Sequence, residues 1–317
     1  MSKILITGGS GFIGQNLIDL YHNKHTVLNY DIKKPKNQKQ IGFWCKGDIL
    51  DFEKFKKKIF DFQPDYIVHL AARTDLNENK NLLGYNANIQ GVENLINILN
   101  TEGLSVKQTI YASSRMVCNI DYTPKHFDDY CPPNLYGQSK MIGEKLVKEK
   151  ANHSYIIVRP TSIWGPWFQI PYRTFFDTVQ NNRFFIPNNY NPKKSFGFVL
   201  NTVYQLDKLL FTDKKLLTCY YLSDYPNLEL TAWANLIAKH SKVSKPKVLP
   251  FNFLKYVAFG GDFLKLMGWK NPPLTSFRLK NLLTDMVYDL SDLEEICGDL
   301  PYTLEDGVRI TIDWMKK

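Results

Sequence analysis

The sequence contains no stretch of about 18 uncharged apolar residues, so nothing in it reads as a membrane-spanning helix. It opens directly on an apolar strand pattern, with no charged segment leading into a long apolar one, so no secretory signal is expected. Its five cysteines, Cys45, Cys118, Cys131, Cys219 and Cys297, are scattered and form no Cys-x-x-Cys pair. That argues against a zinc ribbon and a disulfide framework, and no metal site is expected. There is no internal repeat and no low-complexity segment, which excludes solenoids and disordered linkers. What remains is a soluble globular protein, and a reducing cytoplasm is its simplest home. The 317 residues, 44% hydrophobic and 22% charged, suffice for one extended domain or two joined lobes.

The net charge of +9 raises the question of a nucleic-acid or membrane surface. The densest cluster is Lys54, Lys56, Lys57 and Lys58. It falls on a helix pattern whose inward residues are Phe52, Phe55, Ile59 and Phe62, so it reads as a solvated helix face. No nucleic-acid partner is expected. Excess positive charge also suits anionic substrates such as nucleoside diphosphates.

The most informative stretch is Lys-Ile-Leu-Ile-Thr-Gly-Gly-Ser-Gly-Phe-Ile-Gly, from Lys3 to Gly14. Ile4 to Ile6 reads as a buried strand, and Phe12, Ile13, Leu17, Ile18 and Leu20 form the inward face of a following helix. Gly8, Gly11 and Gly14 lie between and within them. Gly8 lets the chain turn tightly off the strand, Gly11 lets the backbone approach a pyrophosphate, and Gly14 lets helix and strand pack closely. The unpaired N–H groups at the helix start would then face phosphates, so a dinucleotide is the expected ligand. A second strand, Thr26 to Asp31, ends in an acid about 20 residues past the glycines. A carboxylate there accepts hydrogen bonds from the adenosine ribose hydroxyls and repels a 2′-phosphate. Asp31 thus favours NAD over NADP, although Lys33 and Lys34 follow closely.

The alternation continues. Strands are expected at Ile41 to Lys46, Asp65 to Leu70, Val106 to Ala112 and Ser154 to Arg159, with a long helix from Leu82 to Glu102. His69 reads as a packed strand residue. Strands alternating with helices predict a parallel, doubly wound α/β sheet, with its ligand beyond the carboxyl ends of the strands. The strand ending at Ala112 runs into Ser113-Ser114-Arg115-Met116. After a loop, Tyr136-Gly137-Gln138-Ser139-Lys140 opens another helix and puts Tyr136 and Lys140 on one face. A phenol with an ordinary pKa near 10 is a poor base at neutral pH, and a cation one turn away would stabilise its anion. Ser114 could hydrogen-bond both the phenol and a reacting alcohol or ketone.

With these pieces assembled, the chain resembles the extended short-chain dehydrogenase/reductase family, in its nucleotide-sugar epimerase/dehydratase branch. The resemblance is carried by Thr7 to Gly14, Asp31, Gly47-Asp48-Ile49, His69-Leu70-Ala71-Ala72, Asn88 with Gly91, Ser113-Ser114, and Tyr136 with Lys140. Arg159-Pro160, Gly165-Pro166, the stretch Tyr302 to Gly307 and Trp314 extend it over nearly the whole chain. It implies a Rossmann-type NAD-binding domain over residues 1–166, rejoined by a late strand near 217–222, and a smaller, mostly C-terminal α/β substrate lobe over 167–317. It implies a catalytic trio of Ser114, Tyr136 and Lys140, with Asp48 and Ile49 bracketing the adenine. The positions it puts at a tightly bound NAD are Gly8, Gly11, Phe12, Ile13, Gly14, Asp31, Asp48, Ile49, Leu70, Ala71, Ala72, Asn88, Tyr136, Lys140 and Pro160. For the nucleoside-diphosphate sugar they are Thr74, Ser114, Ser162, Lys194 and Arg278. It further implies a homodimer built on the 82–102 and 136–150 helices, and bacterial surface-polysaccharide synthesis as the setting.

Departures from the family pattern narrow the chemistry. Sugar 4,6-dehydratases carry an acid pair or a single Glu after the active-site Ser or Thr. Here Arg115 and Met116 stand there, which argues against dehydration. Met116 also replaces the Cys of enzymes that epimerise beside a ketone; Cys118, two residues on, reads as a buried structural thiol. The substrate-contacting Asn of Arg-x-x-Asn is Ser162, and the later Arg-Asp pair is Lys194-Ser195. The expected reaction is C4 epimerisation through a transient 4-keto sugar, with a 4-ketoreductase or 4-dehydrogenase as the alternative. An NAD-binding regulator without catalysis is the reading from a different class. Phe251 to Trp269, apolar and aromatic but interrupted by Lys255, Asp262 and Lys265, reads as a lobe helix packed on the core, with an interfacial helix as the alternative.

Overall fold

The computed structural model describes residues 1–78, 80–122, 124–170, 172–214, 217–269, 272 and 274–317. Seven strands, β1 (Lys3–Thr7), β2 (Thr26–Asp31), β3 (Trp44–Lys46), β4 (Tyr66–His69), β5 (Gln108–Ala112), β6 (Tyr155–Pro160) and β11 (Cys219–Leu222), form one sheet. Its order is β11-β6-β5-β4-β1-β2-β3 and every pairing is parallel. The strands are apolar on both faces because both faces are covered. Ile4, Ile6, Val68, Ile110 and Val158 meet α1 (Phe12–Tyr21), α6 (Val199–Phe211) and α10 (Ser291–Cys297). Leu5, Ile67, Tyr111 and Ile157 meet α2 (Phe52–Phe62), α3 (Asn86–Leu99) and α4 (Leu135–Lys150). This is the doubly wound, Rossmann-type α/β fold, with the strand order reversing beside β1.

Two elements differ from the sequence pattern. The expected strand at 41–46 begins as a 3₁₀ turn, Gln38–Phe43, and only Trp44–Lys46 is extended. The buried Gln40 amide anchors that turn on α1 by donating to the Gln15 carbonyl at 2.8 Å and to Asp19 at 2.7 Å. The expected 82–102 helix divides into a 3₁₀ turn, Leu82–Tyr85, and α3, which ends at Leu99. Tyr85 breaks the continuity: it is buried, and its hydroxyl donates to the Asp75 carbonyl at 2.7 Å, tying the turn to the loop after β4.

The second lobe is built around large aromatics. Trp164 on β7 (Ser162–Trp164) packs with Phe176 of α5 (Tyr172–Gln180), Phe198 of β10 (Phe196–Phe198) and Trp233 of α7 (Leu230–Ser241). Val308 and Ile312 of α11 (Leu304–Met315) close this core. Short pairings complete it: β7 with β10, β8 (Phe185–Pro187) with β13 (Lys247–Leu249), and β9 (Lys193–Lys194) with β12 (Leu228–Glu229). Outermost lie α8 (Phe251–Leu266) and α9 (Ser276–Leu283), packed on each other. β11 returns to the main sheet from within the 167–317 stretch, and so do α6 and α10, because each carries an apolar stripe that the exposed face of the sheet needs.

Candidate active site

The carboxyl ends of β1, β2 and β4 lie side by side, and glycine sets how closely the chain packs there. Gly8 adopts φ +70°, and a Cβ there would stand 2.6 Å from the backbone nitrogen of Ala71, so the turn after β1 and the loop after β4 touch backbone to backbone. A Cβ at Gly14 would stand 2.6 Å from the Gly9 Cα, which allows α1 to start directly against the turn. At Gly11 the nearest atom to such a Cβ is the Gly8 carbonyl oxygen at 3.1 Å. Gly11 is exposed and caps α1 without a side-chain hydrogen bond, and no acidic residue occupies the first turn. A helix start with uncapped amides and a bare backbone suits the diphosphate of a dinucleotide.

Asp31 ends β2 beside the glycine turn. Its Oδ2 accepts the Ser10 N–H at 3.0 Å and its Oδ1 the Lys33 N–H at 2.8 Å, which fixes the carboxylate and leaves further acceptor capacity on each oxygen. Burial pushes its pKa up, and the two backbone donors oppose that. Asp48 is exposed, and Ile49 is buried under α3, where Gly91 makes room: a Cβ at Gly91 would meet the Ile49 side chain at 2.3 Å. Leu70, Ala71 and Ala72 line the start of the loop after β4, half-buried, and Thr74 beyond them is exposed. Phe12 and Ile13 turn toward the aromatic core of the second lobe. Pro160 ends β6.

Asn88 acts through this loop. Its Oδ1 accepts the Arg73 N–H at 2.8 Å, and its Nδ2 donates to the Arg73 carbonyl at 3.0 Å and to Ser139 Oγ at 2.9 Å. The amide therefore clamps the loop to α3 and α4. His69 is fully buried: Nδ1 lies 2.8 Å from Thr7 Oγ1, and burial with the charge of Lys140 pulls its pKa down to about 3, so it is a neutral packed residue.

Tyr136 and Lys140 lie on the first turns of α4, both buried. Asn134 caps this helix by accepting the Gly137 N–H at 2.9 Å. Ser114 sits at the end of β5 and caps a 3₁₀ turn, Arg115–Val117, by accepting the Met116 N–H at 3.1 Å; its side chain also hydrogen-bonds Tyr136. The structure thus brings Ser114, Tyr136 and Lys140 together from β5 and α4. Lys140 Nζ donates to the Ala112 carbonyl at 2.8 Å. Burial pulls its pKa down to about 8, opposed by Glu144. Any lowering of the Tyr136 pKa by Lys140 is outweighed here. Burial pushes the phenol up, while the Ser114 hydrogen bond and, more weakly, the charge of Arg115 work the other way.

Two tyrosines that no motif singled out stand beside this centre, and the remaining residues expected at the substrate lie further along the lobe. Tyr85 lies with its ring 6.0 Å from that of Tyr136. Tyr172 donates to Ser162 Oγ at 2.9 Å, closing the side toward the lobe. Arg115 bears on Tyr136 and Lys194 and hydrogen-bonds Tyr288. Lys194 is buried and directs two donors at α9, one to the Asn281 carbonyl at 2.9 Å and one to the Thr284 carbonyl. A cation suits the carbonyls at a helix C-terminus. Arg278 is exposed on α9, and its Nη1 donates to the Pro272 carbonyl at 2.7 Å. Cys118 is buried with its thiol donating to the Asp129 carbonyl at 3.2 Å, and burial pushes its pKa up.

Gly137 decides how closely α4 approaches Ser114. A Cβ there would stand 2.1 Å from the Met116 carbonyl oxygen, a backbone atom that cannot rotate away. Gly137→Ala is expected to destabilise the fold by about 1–3 kcal/mol. It should also lower kcat more than tenfold, because small misplacements of reacting groups are costly. Thermal unfolding and steady-state kinetics check this, and an unchanged kcat would overturn it. Its signal in the sequence was a glycine inside a helix pattern, where propensity favours alanine.

A second unforeseen feature is the Arg159–Glu144 pair. Both side chains are fully buried; Arg159 Nε and Nη2 meet the two Glu144 carboxylate oxygens at 2.9 and 2.7 Å. Arg159 also donates to the Phe127 carbonyl and the Tyr221 hydroxyl, and Tyr130 donates to Glu144. The network ties α4, the helix that carries Tyr136 and Lys140, to β6 and β11. A charged residue inside the apolar run of β6 was its sequence signal, since buried arginine requires a partner.

A glycine turn opening a helix, an acid ending the next strand and a Ser–Tyr–Lys cluster after a later strand are together a set suited to nucleotide-dependent oxidoreduction of an alcohol or ketone. The model of the NAD dependent epimerase/dehydratase family matches residues 4–199, and the chain belongs to that family. It is an enzyme of the extended short-chain dehydrogenase/reductase type. A similar curated protein is the N-acetyl-α-D-glucosaminyl-diphospho-ditrans,octacis-undecaprenol 4-epimerase of Escherichia coli O157:H7, 26% identical over 98% of this chain and 95% of that protein. Among solved structures, the Bordetella bronchiseptica enzyme WbmH in complex with NAD+ shares the fold with a TM-score of 0.74, at 17% identity, covering 100% of this chain and 99% of that one. The UDP-glucose 4-epimerase of Thermotoga maritima, solved with UDP-glucose, shares it with a TM-score of 0.73, at 18% identity, covering 99% and 98%.

Proposed function

We propose that this protein inverts C4 of a sugar carried on a diphosphate, through a transient 4-keto sugar, with NAD retained between the two halves of the reaction. The observation that carries this reading is the make-up of the cluster. Ser114, Tyr136 and Lys140 meet with Tyr85 against the phenol ring, and the residues that follow Ser114 are Arg115 and Met116, none of them a carboxylate. Such a centre can relay one proton but offers no acid–base pair to expel a neighbouring hydroxyl. Tyr136 takes the proton of the C4 hydroxyl and later returns one to the ketone oxygen. Ser114 holds that oxygen in place, and Lys140 supplies the positive charge that favours the phenolate. The chemistry that NAD would supply when bound is reversible hydride transfer at C4. Gly8, Gly11 and the start of α1 would hold its diphosphate, and Asp31 its adenosine ribose, which favours NAD over NADP. The relatives support the reading, since the Escherichia coli and Thermotoga maritima proteins are both named as 4-epimerases.

Protein purified without added cofactor and then denatured should release NAD or NADH near one per subunit, identified by mass spectrometry. Incubated with UDP-N-acetylglucosamine or its diphospho-polyprenol counterpart, it should form the C4 epimer, seen by proton NMR, with no net change in NADH absorbance. An empty protein that binds NADPH reversibly and consumes it stoichiometrically would overturn the reading in favour of a 4-ketoreductase.

A further inference from the structure

The 16 residues of α8 bury only Leu254, Ala258 and Gly261. The helix docks on α9 through this narrow stripe, where a Cβ at Gly261 would stand 1.8 Å from the Leu274 carbonyl oxygen. The expectation of a helix packed on the core holds for that stripe alone. The opposite face is solvent-facing and apolar: Tyr256 is 78% exposed, Phe259 65%, Phe263 62% and Met267 71%, with Phe253 and Leu264 beside them. Spacings of three and four put these residues on one broad face. Trp269, just beyond the helix, and Phe277 on α9 are also more than half exposed. A contiguous aromatic patch of this kind marks an interaction surface rather than ordinary surface composition.

Its surroundings identify the partner. From residue 242 to 283 the sequence carries Lys242, Lys245, Lys247, Lys255, Lys265, Lys270, Arg278 and Lys280 against the single acid Asp262. That segment contributes +7 of the whole chain's +9. Asp262 is engaged by the Ser276 N–H, and Lys280 pairs with Asp121. An aromatic face within a basic segment matches a surface that is apolar beneath and anionic at its rim. At 16 residues the helix is too short to span a bilayer, and among the described residues no helix is long and apolar enough to do so. A second copy of this chain would present the same positive charge and repel it.

We propose that α8 is an interfacial helix that seats the protein on an anionic lipid bilayer, its Tyr256–Phe259–Phe263–Met267 face entering the headgroup boundary. The inference is independent of the reaction proposed above, because the test reads binding rather than turnover. The full chain is floated with vesicles of phosphatidylglycerol mixed equally with phosphatidylcholine, and with vesicles of phosphatidylcholine alone. The wild type should float with the mixed vesicles and more weakly with the neutral ones, and high salt should reduce the binding. Phe259→Ser with Phe263→Ser should partition at least about tenfold less while melting at the wild-type temperature, since both side chains face solvent. Quenching of Trp269 by brominated lipid, identified as the signal lost in Trp269→Phe, would place this edge of the face in the bilayer. Wild-type protein that stays in the aqueous fraction with both vesicles would overturn the proposal. So would a double variant that floats as well as wild type, or one that melts early. A face that instead holds two copies together, seen as a dimer lost in the double variant without any vesicle binding, would overturn it as well.

Discussion

Replacing Tyr136 with phenylalanine is expected to lower kcat about a thousandfold, while the protein still folds and binds its nucleotide. In the proposed reaction the phenol exchanges a proton with the substrate oxygen, and losing a positioned acid–base group costs about 10²–10⁴ in rate. The ring itself remains against Tyr85, so packing is kept. The pH profile adds a second readout. Burial holds the Tyr136 phenol above its ordinary value, so the phenolate that accepts the substrate's proton is a minor form that grows as the pH rises. Alcohol oxidation by the wild type should therefore keep rising across the range of about pH 6 to 9 without levelling off, because only the deprotonated phenol can accept the substrate's proton. In Tyr136→Phe that rise should vanish. Stopped-flow or steady-state kinetics between pH 6 and 9 checks both parts on the order of one pH unit. A variant that keeps more than about a tenth of the wild-type kcat would remove Tyr136 from the proton relay.

The largest effect on stability is expected at Arg159. Arg159→Met leaves the Glu144 carboxylate buried with the Tyr130 hydroxyl as its remaining donor. Breaking one side of a buried ion pair costs about 3–5 kcal/mol. That is a large share of the total of about 5–15 kcal/mol that holds a domain together. The variant should unfold at markedly lower denaturant or be recovered mostly insoluble. Replacing both partners, Arg159→Met with Glu144→Met, should restore much of the loss, because no uncompensated charge is then buried. It should not restore all of it, since the Phe127 carbonyl and Tyr221 hydroxyl lose their donor. Chemical denaturation of the wild type, both single variants and the double variant gives the coupling energy directly. A coupling near zero would mean that the pair does not act as a unit. Glu144 lies one turn beyond Lys140 on α4, so a surviving Arg159→Met protein should also show reduced turnover from a loosened catalytic helix.

Much of this molecule was legible in one dimension because the chemistry is local in sequence. The strand–glycine–helix opening, the acid ending β2 and the Tyr-x-x-x-Lys spacing each place their groups by backbone geometry, with little help from distant residues. The same holds for the central sheet, since parallel strands separated by amphipathic segments have few ways to cover both faces. The third strand was overestimated because Gln40 is drawn into a 3₁₀ turn by hydrogen bonds to α1, which no periodicity encodes. That the Asn88 amide clamps the loop at Arg73 to Ser139 of α4 could not be read from its place in the motif, because those partners lie 15 and 51 residues away.

The sequence by itself determined the fold class, the position of the glycine turn and which tyrosine, lysine and serine converge, because each follows from a fixed repeat of strand or helix. Only the tertiary structure decided that Lys194 points its donors into the end of α9, that Arg159 meets Glu144 across 15 residues, and that burial rather than Lys140 governs the Tyr136 phenol. It also decided that α8 turns its aromatic face outward. An apolar helix pattern states that a face must be covered; it does not state by what. Burial, pairing and exposure are properties of elements brought together from far apart in the chain, and they exist only once the chain has folded.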